Sequence, residues 1–196
     1  MASKSETTMK ILLVVLGVVL LVGLMFGGKF VSVRNDLAVQ NEAIAGAWAQ
    51  VDVALQRRAD LIPNLVSTVK GFATHEQQVI DSVTAARAAL GGARNPQEKI
   101  AANSQLDGAI SRLLVIAENY PNLKSDQNFL RLQDELAGTE NRIAVERRKY
   151  NEVVQRYNTQ IALFPNNLIA SMSGFQRNDA YFKTDPGSRQ APKVAF

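Results

Sequence analysis

The chain has 196 residues, 46% hydrophobic and 20% charged, with a net charge of +4 and a pI near 9.5. So much apolar content argues against disorder, and bases dispersed among acids with few aromatics indicate no nucleic-acid platform. Cysteine is absent, which excludes disulfides, thiolate metal sites and a cysteine nucleophile.

A short polar stretch, residues 1–10, precedes the run ILLVVLGVVLLVGLMFGGKF, residues 11–30. From Ile11 to Gly28 no side chain is charged. Eighteen helical residues reach about 27 Å, close to the hydrocarbon thickness of a bilayer. Lys10 and Lys29 bracket the run, where their amines reach headgroups. A cleaved signal peptide would have a shorter apolar region and a small-x-small site directly behind it. Here AIAG, residues 43–46, lies well downstream. A retained transmembrane helix over residues 11–30 is therefore expected. The basic residues before it (Lys4, Lys10) and after it (Lys29, Arg34) balance, so they favour neither orientation.

From Leu37 a stripe runs Leu37, Asn41, Ile44, Trp48, Val51, Leu55, Arg58, Ile62, in alternating steps of four and three. That is one face of a helix, with a polar Asn and Arg on it. Nothing separates Phe30 from this stripe, so the anchor is expected to run into the first soluble helix. Pro63 disfavours helix locally, yet Leu65, Val66 and Val69 keep the spacing; a kinked helix ending near Gly71 is expected.

A second helix is expected after Thr74, an N-cap with Gln77 three residues on. Val79, Val83, Ala86 and Leu90 form its inner face, and Gly91-Gly92 end it. Asn95-Pro96 reads as N-cap and first-turn proline of a third helix reaching about Asn119. Ile100, Leu106, Ile110, Leu113 and Ala117 mark its face, and Tyr120-Pro121 stops it. A fourth helix is expected from about Ser125 to Phe164. Phe129, Leu136, Ile143, Tyr150 and Tyr157 recur every seven residues, with Leu132, Thr139, Glu146 and Val153 at the offset positions. No β-alternation occurs anywhere. The expected fold is all-α: a transmembrane helix, then a long antiparallel four-helix bundle over residues 31–164. Residues 165–196 form a tail, with a short amphipathic helix over 166–175 and loop from Asp185.

Catalytic and cofactor signatures are missing. His75-Glu76 opens like a zincin helix, but position 79 is Val and the chain holds a single histidine. There is no phosphate loop, nucleophile elbow or dinucleotide fingerprint. The sequence therefore implies no cofactor and no enzyme. One polar group stands out: Arg57, Arg58, Asp60, Asn64 and Lys70 around Pro63. On the structural reading Arg58 meets Glu140 or Glu146 across the seam and Arg57 pairs with Asp60. On the functional reading the five form a ligand or partner patch. Charges on bundle seams more often fix register, which favours the first.

Three stretches carry a resemblance: AWAQVDVALQRRADLIPNLVSTVKGFATHE (47–76), AENYPNLKSDQNFLRLQDELAGTENRIAVERRKYNEVVQRYNTQIALFP (117–165) and GFQRNDAYF (174–182). With the anchor, over about residues 8–183, they resemble the LemA family of bacterial membrane proteins. The resemblance implies a single pass through the bacterial inner membrane, a four-helix domain placed in the cytoplasm, and no established activity or site. The expectation is a membrane-anchored interaction or scaffold protein. Its partners would be the lipid bilayer, other proteins and its own copies. A membrane-tethered enzyme or ligand sensor using the polar group at Pro63 is the alternative. Self-association is suggested by Gly23 and Gly27, whose spacing lets membrane helices approach closely. Asn41, Arg58, Thr139 and Glu146, as polar entries on the seams, would select one pairing.

Overall fold

The computed structural model describes residues 2–73 and 75–183. Among these the chain is all-α, with no strand: α1 Ala2–Lys70, α2 Gln77–Gly92, α3 Pro96–Ala117, α4 Pro121–Lys124, α5 Gln127–Ala162 and α6 Asn166–Met172. The expected N-cap Thr74 and the loop from Asp185 lie outside the described residues.

One helix, α1, carries both the apolar run and the first polar-faced stretch, because no breaker lies between them. Pro63 sits inside it without ending it. The lost backbone donor is outweighed by burial on both sides of it, with Ile62, Leu65 and Val69 all at most 2% exposed. Asn95 caps α3: its side chain accepts from the Glu98 N–H at 2.9 Å, and the Glu98 carboxylate accepts from the Arg94 N–H at 2.7 Å. Asp126 caps α5 in the same manner, accepting from the Phe129 N–H at 2.9 Å.

The chain divides into two compact units. The first joins the amino-terminal chain through Ala43 with Arg156–Arg177. Its α1 segment is the one helix among the described residues that is long and apolar enough to cross a membrane. From Leu12 to Phe26 every large apolar side chain is exposed, as lipid-facing residues are and core residues are not. Just beyond, Val33 and Leu37 bury against Ile169 and Ala170 of α6, with Phe30, Ile161 and Phe175 packed around them. Gly174, at φ +77°, ends α6. The Phe175 N–H returns to the Ala170 carbonyl at 3.0 Å and the Gly174 N–H to Ser171 at 3.3 Å, the hydrogen-bond pair of a Schellman cap.

The second unit joins Ile44–Gln155 with the chain from Asn178. Its core includes Val51, Leu55, Ile62 and Leu65 of α1, Ile80 and Val83 of α2, Leu106 and Leu113 of α3, and Phe129, Leu136, Ile143 and Tyr150 of α5. Trp48 meets Tyr150 and Arg58 meets Glu140, so a ten-residue step along α1 matches a ten-residue step back along α5. These segments are antiparallel.

Four details of the expected faces are corrected. Asn41 is exposed and Gln40 half-buried, because Leu37 and Ile44 are bridged by the residue three on, not four. On α2, Ile80 is buried and Val79 only partly, since the helix starts at Gln77 and its core face follows Ile80, Val83, Ala86 and Leu90. On α5, Val154 replaces Val153 in the core and Glu146 sits half-buried beside Lys149. A straight helix drifts about 20° per heptad against a strict seven-residue repeat, which moves the inward position on by one.

Candidate functional site

Arg58 projects from α1 into the second unit and is only 6% exposed. A buried guanidinium is costly unless its donors are met. Arg58 Nη1 donates to Asp107 Oδ1 of α3 and to Glu140 Oε2 of α5, both at 2.5 Å. Asn103, fully buried one turn before Asp107, donates to Asp107 Oδ2 at 2.9 Å. Arg147 Nη2 approaches the same oxygen at 3.6 Å. Two arginines and two carboxylates thus balance one another where three helices meet. Burial dominates at Asp107 and holds its carboxyl above the ordinary 3.8, Glu140 adding to that rise while Arg58 and Arg147 oppose it.

A second cluster adjoins it. Trp48 of α1 contacts Tyr150 edge-on at 5.3 Å and stacks on Phe182 at 6.0 Å; the Arg147 guanidinium lies 5.0 Å from the centre of the Phe182 ring. Asn151 clamps the Phe182 backbone, donating to its carbonyl at 2.8 Å and accepting from its N–H at 3.0 Å. The stretch around Phe182 is thereby fixed along α5. Between it and α3 lies an open cleft of about 690 Å³, lined by Ile100, Ser104, Asp107 and Ser111 on α3, Arg147 on α5, and Asp179, Ala180, Tyr181 and Lys183.

The cleft is polar on a helical scaffold, but its serine hydroxyls are engaged. Ser104 Oγ donates to the Ile100 carbonyl at 3.2 Å and Ser111 Oγ to the Asp107 carbonyl at 2.8 Å, so neither serine is aligned on a base. His75 is exposed, and its neighbour Glu76 accepts from the Tyr120 hydroxyl at 2.8 Å, which holds the tyrosine proton above its ordinary range. No group of three His, Asp or Glu side chains able to hold a metal ion occurs among the described residues. Two further ties reach α1: Lys99 of α3 pairs with Asp52, and Arg87 of α2 donates to the Ala59 carbonyl at 2.9 Å.

The five polar residues around Pro63 separate. Arg58 turns inward, whereas Arg57, Asp60, Asn64 and Lys70 are exposed. Asp60 accepts from Gln56 at 2.8 Å, and the expected Arg57–Asp60 pair is not formed. Asn64 borders a shallow pocket of about 370 Å³ with Ser67 and Thr68 of α1 and Asn128, Arg131 and Glu135 of α5. Of the two acids expected opposite Arg58, Glu140 is the partner; Glu146 accepts from Lys149 at 3.0 Å. Asp107 and the Asn151–Phe182 clamp were not anticipated. The available signal for Asp107 was a polar pair four apart, Asn103 and Asp107, beside the apolar face of α3.

The LemA family model matches residues 47–196, a stretch that begins after the apolar run. Magnetosome protein MamQ 1 of Paramagnetospirillum magneticum is 24% identical, covering 78% of this chain. Magnetosome protein MamQ of Magnetospirillum gryphiswaldense is 25% identical over the same share. Protein LemA of Metamycoplasma hominis is 24% identical over 72% of this chain. The chain spans 65% of the length of each of these relatives.

Proposed function

Because the chain belongs to the LemA family, we propose that it is a membrane-anchored interaction protein that works by contact and catalyses no reaction. It is seated in the inner membrane of a bacterium by one pass of α1, and its partners are proteins, copies of itself and the bilayer. The observation that carries this reading is the internal pairing of Arg58 with Asp107 and Glu140. The most deeply buried charge among the described residues is neutralised by its own fold and serves to fix the register of α1, α3 and α5. What the second unit offers a partner is the cleft beside α3, whose far wall is locked by Asn151. A ligand sensor at Pro63 would have to use the shallow pocket at Asn64, since Arg57, Asp60 and Lys70 do not line it.

A photo-reactive amino acid at Ser104, an exposed cleft residue, tests the proposal in intact membranes. Discrete protein adducts from Ser104, absent from the same probe at Arg57, are expected. Equal or absent labelling at the two positions would overturn the cleft as the contact surface.

A further inference from the structure

We propose that the corner between α5 and α6 is a second membrane contact, with Leu163, Phe164, Leu168 and Met172 immersed in the bilayer interface beside the transmembrane span. This rests on the reading of residues 11–30 as an anchor.

The sequence is unusual here. From Tyr157 to Gln176, twenty consecutive residues carry no charge, in a chain where 20% are charged, and Arg156 and Arg177 bracket the run. Such a stretch would ordinarily be core. Part of it is: Ile169 and Ala170 bury against Val33 and Leu37, and Phe175 and Ile161 pack beside them. The rest faces outward. Leu163 is 52% exposed, Phe164 79%, Leu168 56% and Met172 77%. Single exposed apolar residues are common. Here four large ones crowd a turn and a seven-residue helix already apolar on its inner side, and the last three are spaced four apart. A helix apolar on opposite sides has apolar surroundings on both.

The occupant of the outer side follows from position within this unit. Val33, against which α6 packs, lies four residues beyond Lys29, the charge that closes the apolar run. At the helical rise that is about 6 Å. Interfacial helices bury their apolar faces roughly 5–10 Å into the boundary between headgroups and acyl chains. Docking on Val33 therefore holds α6 at headgroup depth, and its outer side chains are exposed as those of Leu24, Met25 and Phe26 in the span are. Lys29 and Arg34, exposed on the same stretch of α1, supply positive charge at that level, and Asp36 offsets part of it.

The absence of native cysteine permits a direct test in the full chain. Single variants Phe164→Cys and Met172→Cys carry an environment-sensitive fluorophore, with Val19→Cys in the span and Glu42→Cys, about 20 Å beyond Lys29 along α1, as references. Each is reconstituted into phosphatidylcholine–phosphatidylglycerol vesicles with or without brominated acyl chains. Blue-shifted emission and quenching by brominated lipid are expected at 164, 172 and 19, and neither at 42. Quenching at 19 with 164 and 172 no more quenched than 42 would overturn the corner contact and leave the anchor standing. No quenching at 19 would overturn the anchor reading and the proposal together. A blue shift at 164 and 172 without quenching, accompanied by thiol crosslinks between chains, would assign the corner to a second copy instead.

Discussion

Asn151 holds the backbone of Phe182 from both sides, donating to its carbonyl and accepting from its N–H. Thirty-one residues separate the two in sequence. The clamp seats the Phe182 ring on Trp48, the sole tryptophan, so Trp48 emission reports on it. Asn151→Ala removes both hydrogen bonds at a cost of about 1–3 kcal/mol. Its tryptophan emission should shift toward that of a solvated ring. Unchanged emission would mean that ring packing alone holds the segment.

Leu136 and Ile143 occupy successive heptad positions of α5, 5% and 0% exposed. Replacing either by Ala should lower stability by about 2–5 kcal/mol, read by denaturant titration of the full-length protein in mild detergent. A loss below roughly 0.5 kcal/mol, the scale of surface changes, would contradict the core assignment.

How far the sequence disclosed this architecture depends on the kind of interaction. The periodic features were legible: the apolar span, the Asn95-Pro96 start of α3 and the heptads of α5 each depend on residues close in sequence. Arg58 announced itself as a charge on an apolar stripe, and its chemistry narrowed the partner to an acid on the facing helix. Choosing Asp107 as the second acid required knowing how α3 is rotated, which its own periodicity left ambiguous. The Asn151–Phe182 clamp binds a segment with no periodicity, so no local pattern pointed to it. At the ends of seams, one-residue shifts such as Val153 to Val154 come from helical drift that a strict repeat ignores.

Asp107 makes a prediction about pH. Its carboxyl is held above 3.8, chiefly by burial. The native state therefore binds this proton more tightly than the unfolded chain does. The resulting stabilisation is present below 3.8 and is lost as pH rises through the raised native value. Relative to Asp107→Asn, the wild-type protein should lose stability as pH climbs above about 4, in denaturation midpoints taken across that window. A wild-type advantage that grows with pH would contradict the burial-dominated environment.

Membrane attachment predicts a response to charge in the span. Leu20, 60% exposed on α1, lies within the apolar run that is long enough to cross a membrane. Leu20→Arg should cost about 3–4 kcal/mol of insertion. A carbonate-wash assay should show the variant shifting from pellet to supernatant, while Val39→Arg, past the span, should stay in the pellet.

The account turns on Arg58 being a pin held by its own fold and not a ligand-binding charge. Comparing the denaturation of Arg58→Ala, Arg57→Ala and the triple variant Arg58→Met, Asp107→Leu, Glu140→Leu tests this most directly. Removing Arg58 alone leaves Glu140 without its partner and Asp107 with only the more distant Arg147, and should cost about 1–3 kcal/mol. Arg57→Ala, on an exposed side chain, should stay within roughly 0.5 kcal/mol of wild type. The triple variant replaces Arg58 and its two acids by apolar groups and should recover part of the loss, with Asn103 and Arg147 left without Asp107, and should retain the Ser104 adducts. A stable Arg58→Ala protein that loses those adducts would contradict the account and make Arg58 a binding residue.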